Sequence, residues 1–262
     1  MNVTLMRIYL IARATVSEGL RRRVWGTTLA VALIFSTAAW SLSDFPLGAS
    51  ELHFVNHLGL GVIAVFGAMV TAMIAIQSLQ DEFYRGTADL LWIRGVSRAE
   101  FVIGKWLGVI ILSGLFCGVI GGLTVVLNCA RTRTFIDGAS MEWWPGLLSQ
   151  VFLGWLKLTV LAALALWMAS VFRQALGAVT ATFLLFGAFH AGFVVDRLAA
   201  THSGFAGVVL SALSWGLPNL QRFHAAPESD RSSALAGPMV IAVVYVVAFT
   251  ILAVVSLRRR EN

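Results

Sequence analysis

Five predominantly apolar stretches of this chain run for about 20 residues or more without an Asp, Glu, Lys or Arg: 24–43, 52–80, 106–130, 174–195 and 232–257. A helix needs about 20 apolar residues to cross the roughly 30 Å hydrocarbon core of a bilayer. A sixth stretch, 143–172, carries a single charge, Lys157. These runs are continuously apolar and lack the polar–apolar alternation of barrel strands, so they read as helices. The chain is 58% hydrophobic and 12% charged, with a mean hydropathy of +0.84. So few charges cannot cover a water-facing surface, and disorder requires the opposite composition. The expected fold is an all-α membrane protein with six transmembrane helices in one domain over 1–262.

The net charge of +6 would suggest nucleic acid in a soluble protein; here its placement along the chain sets orientation instead. With the N-terminus cytosolic, thirteen of the nineteen Lys and Arg fall on inner segments, five on outer ones, and Lys157 inside a span. Both arginine triplets, Arg21–Arg23 and Arg258–Arg260, are then cytosolic, which requires an even number of crossings. Segment 198–221 is charge-free but holds His202, Ser203, Ser211, Ser214, Pro218 and Asn219. A seventh span there would break the parity. It is therefore expected to form a short helical hairpin in the outer loop 198–236, between spans five and six.

Residues 1–23 combine apolar Leu5, Ile8, Tyr9, Ala12, Val16 and Leu20 at three- and four-residue steps with Arg7, Arg13 and the first triplet. That is the pattern of an interfacial amphipathic helix. The segment is long for the charged region of a secretion signal and the following run is of full span length, so it reads as retained.

The inner connection 81–98 is the most informative part of the chain. Gly95 is placed to end a short helix on which Phe83, Leu90 and Leu91 share a face. Ser97 is placed to cap the next helix, with Glu100 completing a capping box. The expected element is helix, break, helix at the membrane surface.

At these residues the chain resembles the permease subunits of type-2 ATP-binding-cassette (ABC) exporters. The motif that carries the likeness is Glu82, Gly86-Thr87, Leu90-Leu91, Val96-Ser97-Arg98, Glu100 and Gly104-Lys105; the family's proline before Val96 is replaced by Gly95. Ile11-Ala12-Arg13-Ala14-Thr15 with Glu18 and Arg21, Arg22 and Arg23 is similar to the family's N-terminal elbow helix. Leu217-Pro218-Asn219-Leu220 with Phe223 is similar to a segment before its last span. The resemblance implies an exporter whose ATP and magnesium sit on separate nucleotide-binding subunits, with no cofactor on this chain. Those subunits would dock on the coupling helix through Glu82, Phe83, Arg85, Thr87, Asp89, Leu90, Arg94 and Arg98. It further implies a second permease copy or paralogue, surrounding membrane lipids, no nucleic acid, and a bacterial cytoplasmic membrane with both termini cytosolic. The cargo would be hydrophobic, amphipathic or related to a metallocofactor.

The chain itself carries no phosphate loop, because Gly104-Lys105 is followed by Trp106 and preceded at the required spacing by Ala99. It is not expected to be an enzyme. Cys117 and Cys129 lie about 18 Å apart along one helix, too far for a disulfide. His53 and His57 have the i, i+4 spacing of a metal pair but no third ligand fixed by sequence, so they are weak candidates. Trp143, Trp144 and Trp155 read as an interfacial belt. Gly59, Gly61, Gly118, Gly121 and Gly122 read as points of close helix approach. Lys157 is a candidate for the substrate pathway, and the alternative function is a self-sufficient ion-coupled carrier that uses it.

Overall fold

The computed structural model describes residues 3–42, 51–132, 144–190 and 231–259. Every regular element among them is helical. In chain order they are α1 (Val3–Arg21), α2 (Arg23–Leu42), α3 (Glu51–Val62), α4 (Ala68–Tyr84), α5 (Thr87–Ile93), α6 (Arg98–Thr132), α7 (Trp144–Val171), α8 (Ala175–His190) and α9 (Arg231–Arg259). A π-helical turn, Ile63–Gly67, joins α3 to α4 without a break.

Four helical runs are long and apolar enough to cross a bilayer: Val55–Tyr84, Arg98–Ala130, Gly146–Val171 and Gly237–Arg259. Two further apolar helices, Arg23–Ala38 and Ala175–Phe189, are shorter. They fall on the first and fifth runs expected from sequence, whose remainders extend toward residues outside the described set. The expected hairpin, with Pro218, Asn219 and Phe223, also lies outside it.

Long helices consecutive in the chain run antiparallel, whereas α1 and α6, α4 and α7, and α7 and α9 run parallel. Arg22 just before α2 bonds Asp81 near the end of α4, while the Phe35 ring meets the Phe66 ring at a tilt with centroids 5.6 Å apart. Trp106 of α6 reaches Thr159 of α7, and Trp155 reaches back to Ile110. Tyr84 meets Arg173 at the α7–α8 junction. One end of the bundle therefore collects the close of α4, all of α5, the start of α6, the close of α7, the start of α8 and the close of α9. In the middle of the bundle, α4, α6 and α7 bury Ala72, Ile76, Phe116, Ile120, Leu161 and Ala165 almost completely. Backbone polar groups have no partner in hydrocarbon, which is why these elements are helices. Apolar helices gain little by leaving lipid for one another, so small residues and tight packing hold them together.

That preference shows most clearly where α1 lies along α6. A Cβ added at Gly108 would sit 2.9 Å from the Ala12 carbonyl oxygen, and one at Gly104 would sit 3.2 Å from that of Ile8. The stripe of α1 that faces α6 includes Ala12, Thr15 and Gly19, which are buried. The amphipathic face expected from sequence is thus split in two: Leu5, Tyr9 and Leu20 point away from the protein and stay exposed.

Of the glycines singled out from sequence, Gly59 packs on Thr124 and Gly121 on Val151, whereas Gly61, Gly118 and Gly122 have open space beside them. Trp155 departs from the expected belt. It sits well inside α7, and its indole N–H donates to the Ile110 carbonyl at 3.1 Å. Cys117 and Cys129 are buried thiols on α6.

Replacing Gly108 with valine should force α1 off α6. Overpacking of this kind costs about 1–3 kcal/mol. The expected readout is a lower melting temperature in detergent together with faster tryptic cleavage at Arg7 and Arg13.

Candidate functional site

The end of the bundle that gathers α1, α5 and the starts of α6 and α8 also gathers the basic residues. It holds Arg7, Arg22, Arg94, Arg98, Lys105, Arg173 and Arg258, among others. The segment 81–98 that crosses it is built by two left-handed glycines. Gly86 has φ 66° and Gly95 φ 76°, which L side chains adopt only with strain. Helix α4 stops at Gly86, whose N–H bonds the Phe83 carbonyl at 3.1 Å. The Thr87 hydroxyl lies against the Glu82 carbonyl oxygen at 3.2 Å and donates to the Glu82 carboxylate.

Helix α5 stops at Gly95 in a Schellman motif. The Gly95 N–H bonds Trp92 O at 2.9 Å, and the Val96 N–H bonds Leu91 O at 3.1 Å. Proline could not supply this turn, since its φ is locked near −65° and it has no N–H. The departure from the family's proline therefore changes how the turn is made while still stopping the helix. Ser97 then caps α6 as expected. Its hydroxyl accepts the Glu100 N–H at 3.2 Å, and the Glu100 carboxylate accepts the Ser97 N–H at 2.9 Å.

Phe83 ends up on α4, not on the short helix, because Gly86 separates it from Leu90 and Leu91. It meets α5 through the Trp92 ring, 6.2 Å away. Ala88 is buried, and Leu91 and Val96 pack on the main core. The opposite side of α5 is open, with Ile93 82% exposed, Leu90 58% exposed and Arg94 exposed; the preceding Tyr84 and Arg85 are exposed at the close of α4. Asp89 lies on α5, its side chain outside the described set.

Three charged contacts fix this element to the bundle. Lys105 of α6 is 2% exposed and donates to Glu82 of α4 at 2.9 Å. Arg22, between α1 and α2, pairs with Glu18 at 2.8 Å and Asp81 at 2.5 Å and donates to Gln77 at 3.0 Å. Arg7 of α1 donates to the Gly95 carbonyl at 2.6 Å, with Glu100 3.8 Å away. Arg98 lies over the Trp92 ring at 5.6 Å. Of the elbow residues expected from sequence, Glu18 and Arg22 join this network, while Arg13, Arg21 and Arg23 are exposed. Between α1 and α5 lies a cleft of about 370 Å³, lined by Leu10, Ile11, Leu90, Leu91 and Arg94 with Glu82 and Lys105.

The family model of ABC-2 family transporter proteins matches residues 11–262. The chain belongs to that family. No curated protein matches it at a comparable level. It is accordingly an integral membrane protein of the ABC transporter permease type; permeases of this kind are membrane transport subunits, typically non-catalytic, that work with ABC ATPase subunits.

In this ABC-2 protein the sequence motif and the observed contacts assign different work to different residues. Glu82, Thr87 and Phe83 face inward and hold α5, whereas Arg85, Leu90 and Arg94 face out. The motif did not mark Ile93 as an exposed member of the same surface. Sequence reasoning also passed over Lys105, Arg7, Gln77 and Asp81 as the residues that hold it; Lys105 was present in the motif, but nothing in its spacing named Glu82 as its partner. Lys157 is half-buried near the midpoint of α7, apart from this surface. His57 lies on α3, and among the described residues no three His, Cys, Asp or Glu side chains come together as a metal site.

Removing one partner of a buried ion pair strands the other charge. Lys105→Met should therefore destabilise the protein by up to about 3–5 kcal/mol, and adding Glu82→Gln should restore much of that loss. Thermal unfolding of the two single variants and the double variant in detergent checks the coupling.

Proposed function

We propose that this chain is the membrane half of an ABC exporter, in which α5 is the coupling helix and α1 the elbow helix. Six spans, counting α2 and α8 with the four long helices, bring both termini to the cytosol. The bundle end rich in Arg and Lys then faces the cytosol, as the positive-inside rule requires. The observation that carries the reading is the exposed apolar and basic face of α5, Leu90, Ile93 and Arg94, on a helix anchored from beneath by the buried Glu82–Lys105 pair. Isolated exposed apolar residues are ordinary, but an apolar face beside a cleft on a clamped helix suits a protein partner.

ATP and magnesium would reside on two nucleotide-binding subunits docked at this face, and two permease copies, or one and a paralogue, would enclose the pathway. Closure of the ATPases would push α5. The push would pass through Glu82 to α4, through Lys105 to α6 and through the Arg7–Gly95 bond to α1. The setting would be a bacterial cytoplasmic membrane, with a hydrophobic, amphipathic or metallocofactor-related cargo moving outward.

The test is to purify the tagged chain from its native membrane in mild detergent and identify stoichiometric partners by mass spectrometry. The expected result is an ATPase subunit carrying a phosphate-binding loop, recovered one per permease. The double variant Leu90→Glu/Ile93→Glu should still insert but lose that subunit at least about tenfold, a loss within the range of interface hot spots. Flux driven by an ion gradient with no ATPase present, and abolished by Lys157→Met, would overturn the proposal.

A further inference from the structure

A second cavity, of about 750 Å³, lies between α6, α7 and α9 and opens sideways where α9 leaves Val243, Val247 and Ile251 exposed. Its walls are almost wholly carbon. The two tryptophans on its floor turn their polar edges inward: Trp106 donates to Thr159 O and Trp155 to Ile110 O, each at 3.1 Å. An occupant therefore meets ring faces and aliphatic side chains along most of the groove. At one end this changes, because Arg258 lines the mouth beside Ala99 at the start of α6. Arg259 follows in the same last turn of α9. Among the described residues no carboxylate pairs with Arg258.

Length and lining decide what suits the groove. From Ala242 to Arg258, both of which line it, α9 rises about 24 Å. Over that length the groove offers aliphatic and aromatic surface along an open side, the surroundings of a hydrocarbon chain, and it meets a charge only at Arg258 among its described lining residues. One leaflet of the hydrocarbon core is about 15 Å deep, so a chain entering beside Arg258 would run through its own leaflet. Guanidinium is the side chain best matched to a phosphate, which it can bind through two parallel hydrogen bonds.

We propose that the α6–α7–α9 groove binds one acyl chain of an anionic glycerophospholipid whose phosphate rests on Arg258. The lipid comes from the leaflet at the α5 end of the bundle. It completes the wall that α9, the least buried of the long helices, leaves open. The assignment rests on an apolar groove open to the side, with a cation at only one end among its described lining residues. A neutral lipid would gain the slot but not the cation, and a soluble phosphate the reverse. The site stands apart from the α5 face, and its test needs no ATPase, so either proposal can fail without the other.

The experiment is native mass spectrometry of the purified chain after incubation with equal amounts of dioleoyl-phosphatidylglycerol and dioleoyl-phosphatidylcholine. Wild type should retain the phosphatidylglycerol adduct at least about fivefold over phosphatidylcholine. Arg258→Gln should bring that ratio to within about twofold of unity while leaving an adduct. Val247→Trp and Ile251→Trp, which fill the slot from the exposed side, should each reduce both adducts at least about fivefold. Val240→Trp, on the exposed surface of α9 outside the groove, should match wild type. Adduct levels and ratios unchanged in Arg258→Gln and in both filling variants would overturn the proposal. So would efficient disulfide cross-linking of Val247→Cys chains in native membranes, which would seat a second copy on the groove.

Discussion

The Glu82–Lys105 pair is the contact on which the arrangement of the basic end depends. It joins α4 to α6, and through the Thr87 hydroxyl on the same carboxylate it also sets where α5 begins. A charge pair in so dry a position gains less from Coulomb attraction than it loses in hydration unless its other bonding capacity is met. Here it largely is. One carboxylate oxygen takes the ammonium and the other takes the hydroxyl, while the Phe101 ring lies 5.7 Å from the Lys105 nitrogen. A buried ionic contact of this kind contributes little net stability compared with an apolar replacement. What it supplies is a single register for three helices that apolar packing alone would leave free to slide.

The same logic runs through the rest of that face. Arg22 gathers Glu18, Gln77 and Asp81 and so fixes the joint between α1 and α2 against α4. Arg7 holds the turn after α5 by its carbonyl rather than by a side chain. Apart from the Arg22–Glu18 pair, each contact joins residues distant in sequence, and all of them lie at the charged end of the bundle. The rest of the packing relies instead on close approach. Glycines at 104 and 108 admit α1, and the alanine-rich middle of α7 admits α4 and α6.

Much of this was legible in the sequence, and the reason is the severity of the lipid constraint. Charge-free runs located α2, α4, α6, α8 and α9, and a run with the single charge Lys157 located α7, because a charge inside them would be costly. The Ser97–Glu100 box and the Gly95 stop were legible because their bonds are local. The structure refines three expectations, two of them because apolar surface in a membrane protein has two destinations. The stripe Leu5, Tyr9 and Leu20 faces away from the protein, while the smaller Ala12, Thr15 and Gly19 take the protein contact. Trp155 was assigned to the headgroup boundary, but its N–H found a carbonyl on α6. Phe83 was grouped with Leu90 and Leu91 across a glycine whose left-handed backbone divides them. The ion pairs were illegible because they join residues 23 and 59 positions apart, a separation that no periodic pattern marks.

The shortness of α5 makes its conformation depend on its surroundings. Seven residues are too few to be helical on their own, since nucleation is unfavourable and few bonds follow it. Its conformation is therefore imposed entirely from outside: by the Gly86 and Gly95 turns, by Ala88 and Leu91 set into the core, and by the charged contacts at either end. A longer, self-stable helix could roll or slide on the bundle and absorb a push in its own displacement. A helix with no independent stability has no such freedom, because moving it means moving the groups that define it. Those groups belong to α4, α6 and α1, so a force on the exposed Leu90 and Ile93 face passes directly into the packed helices beneath.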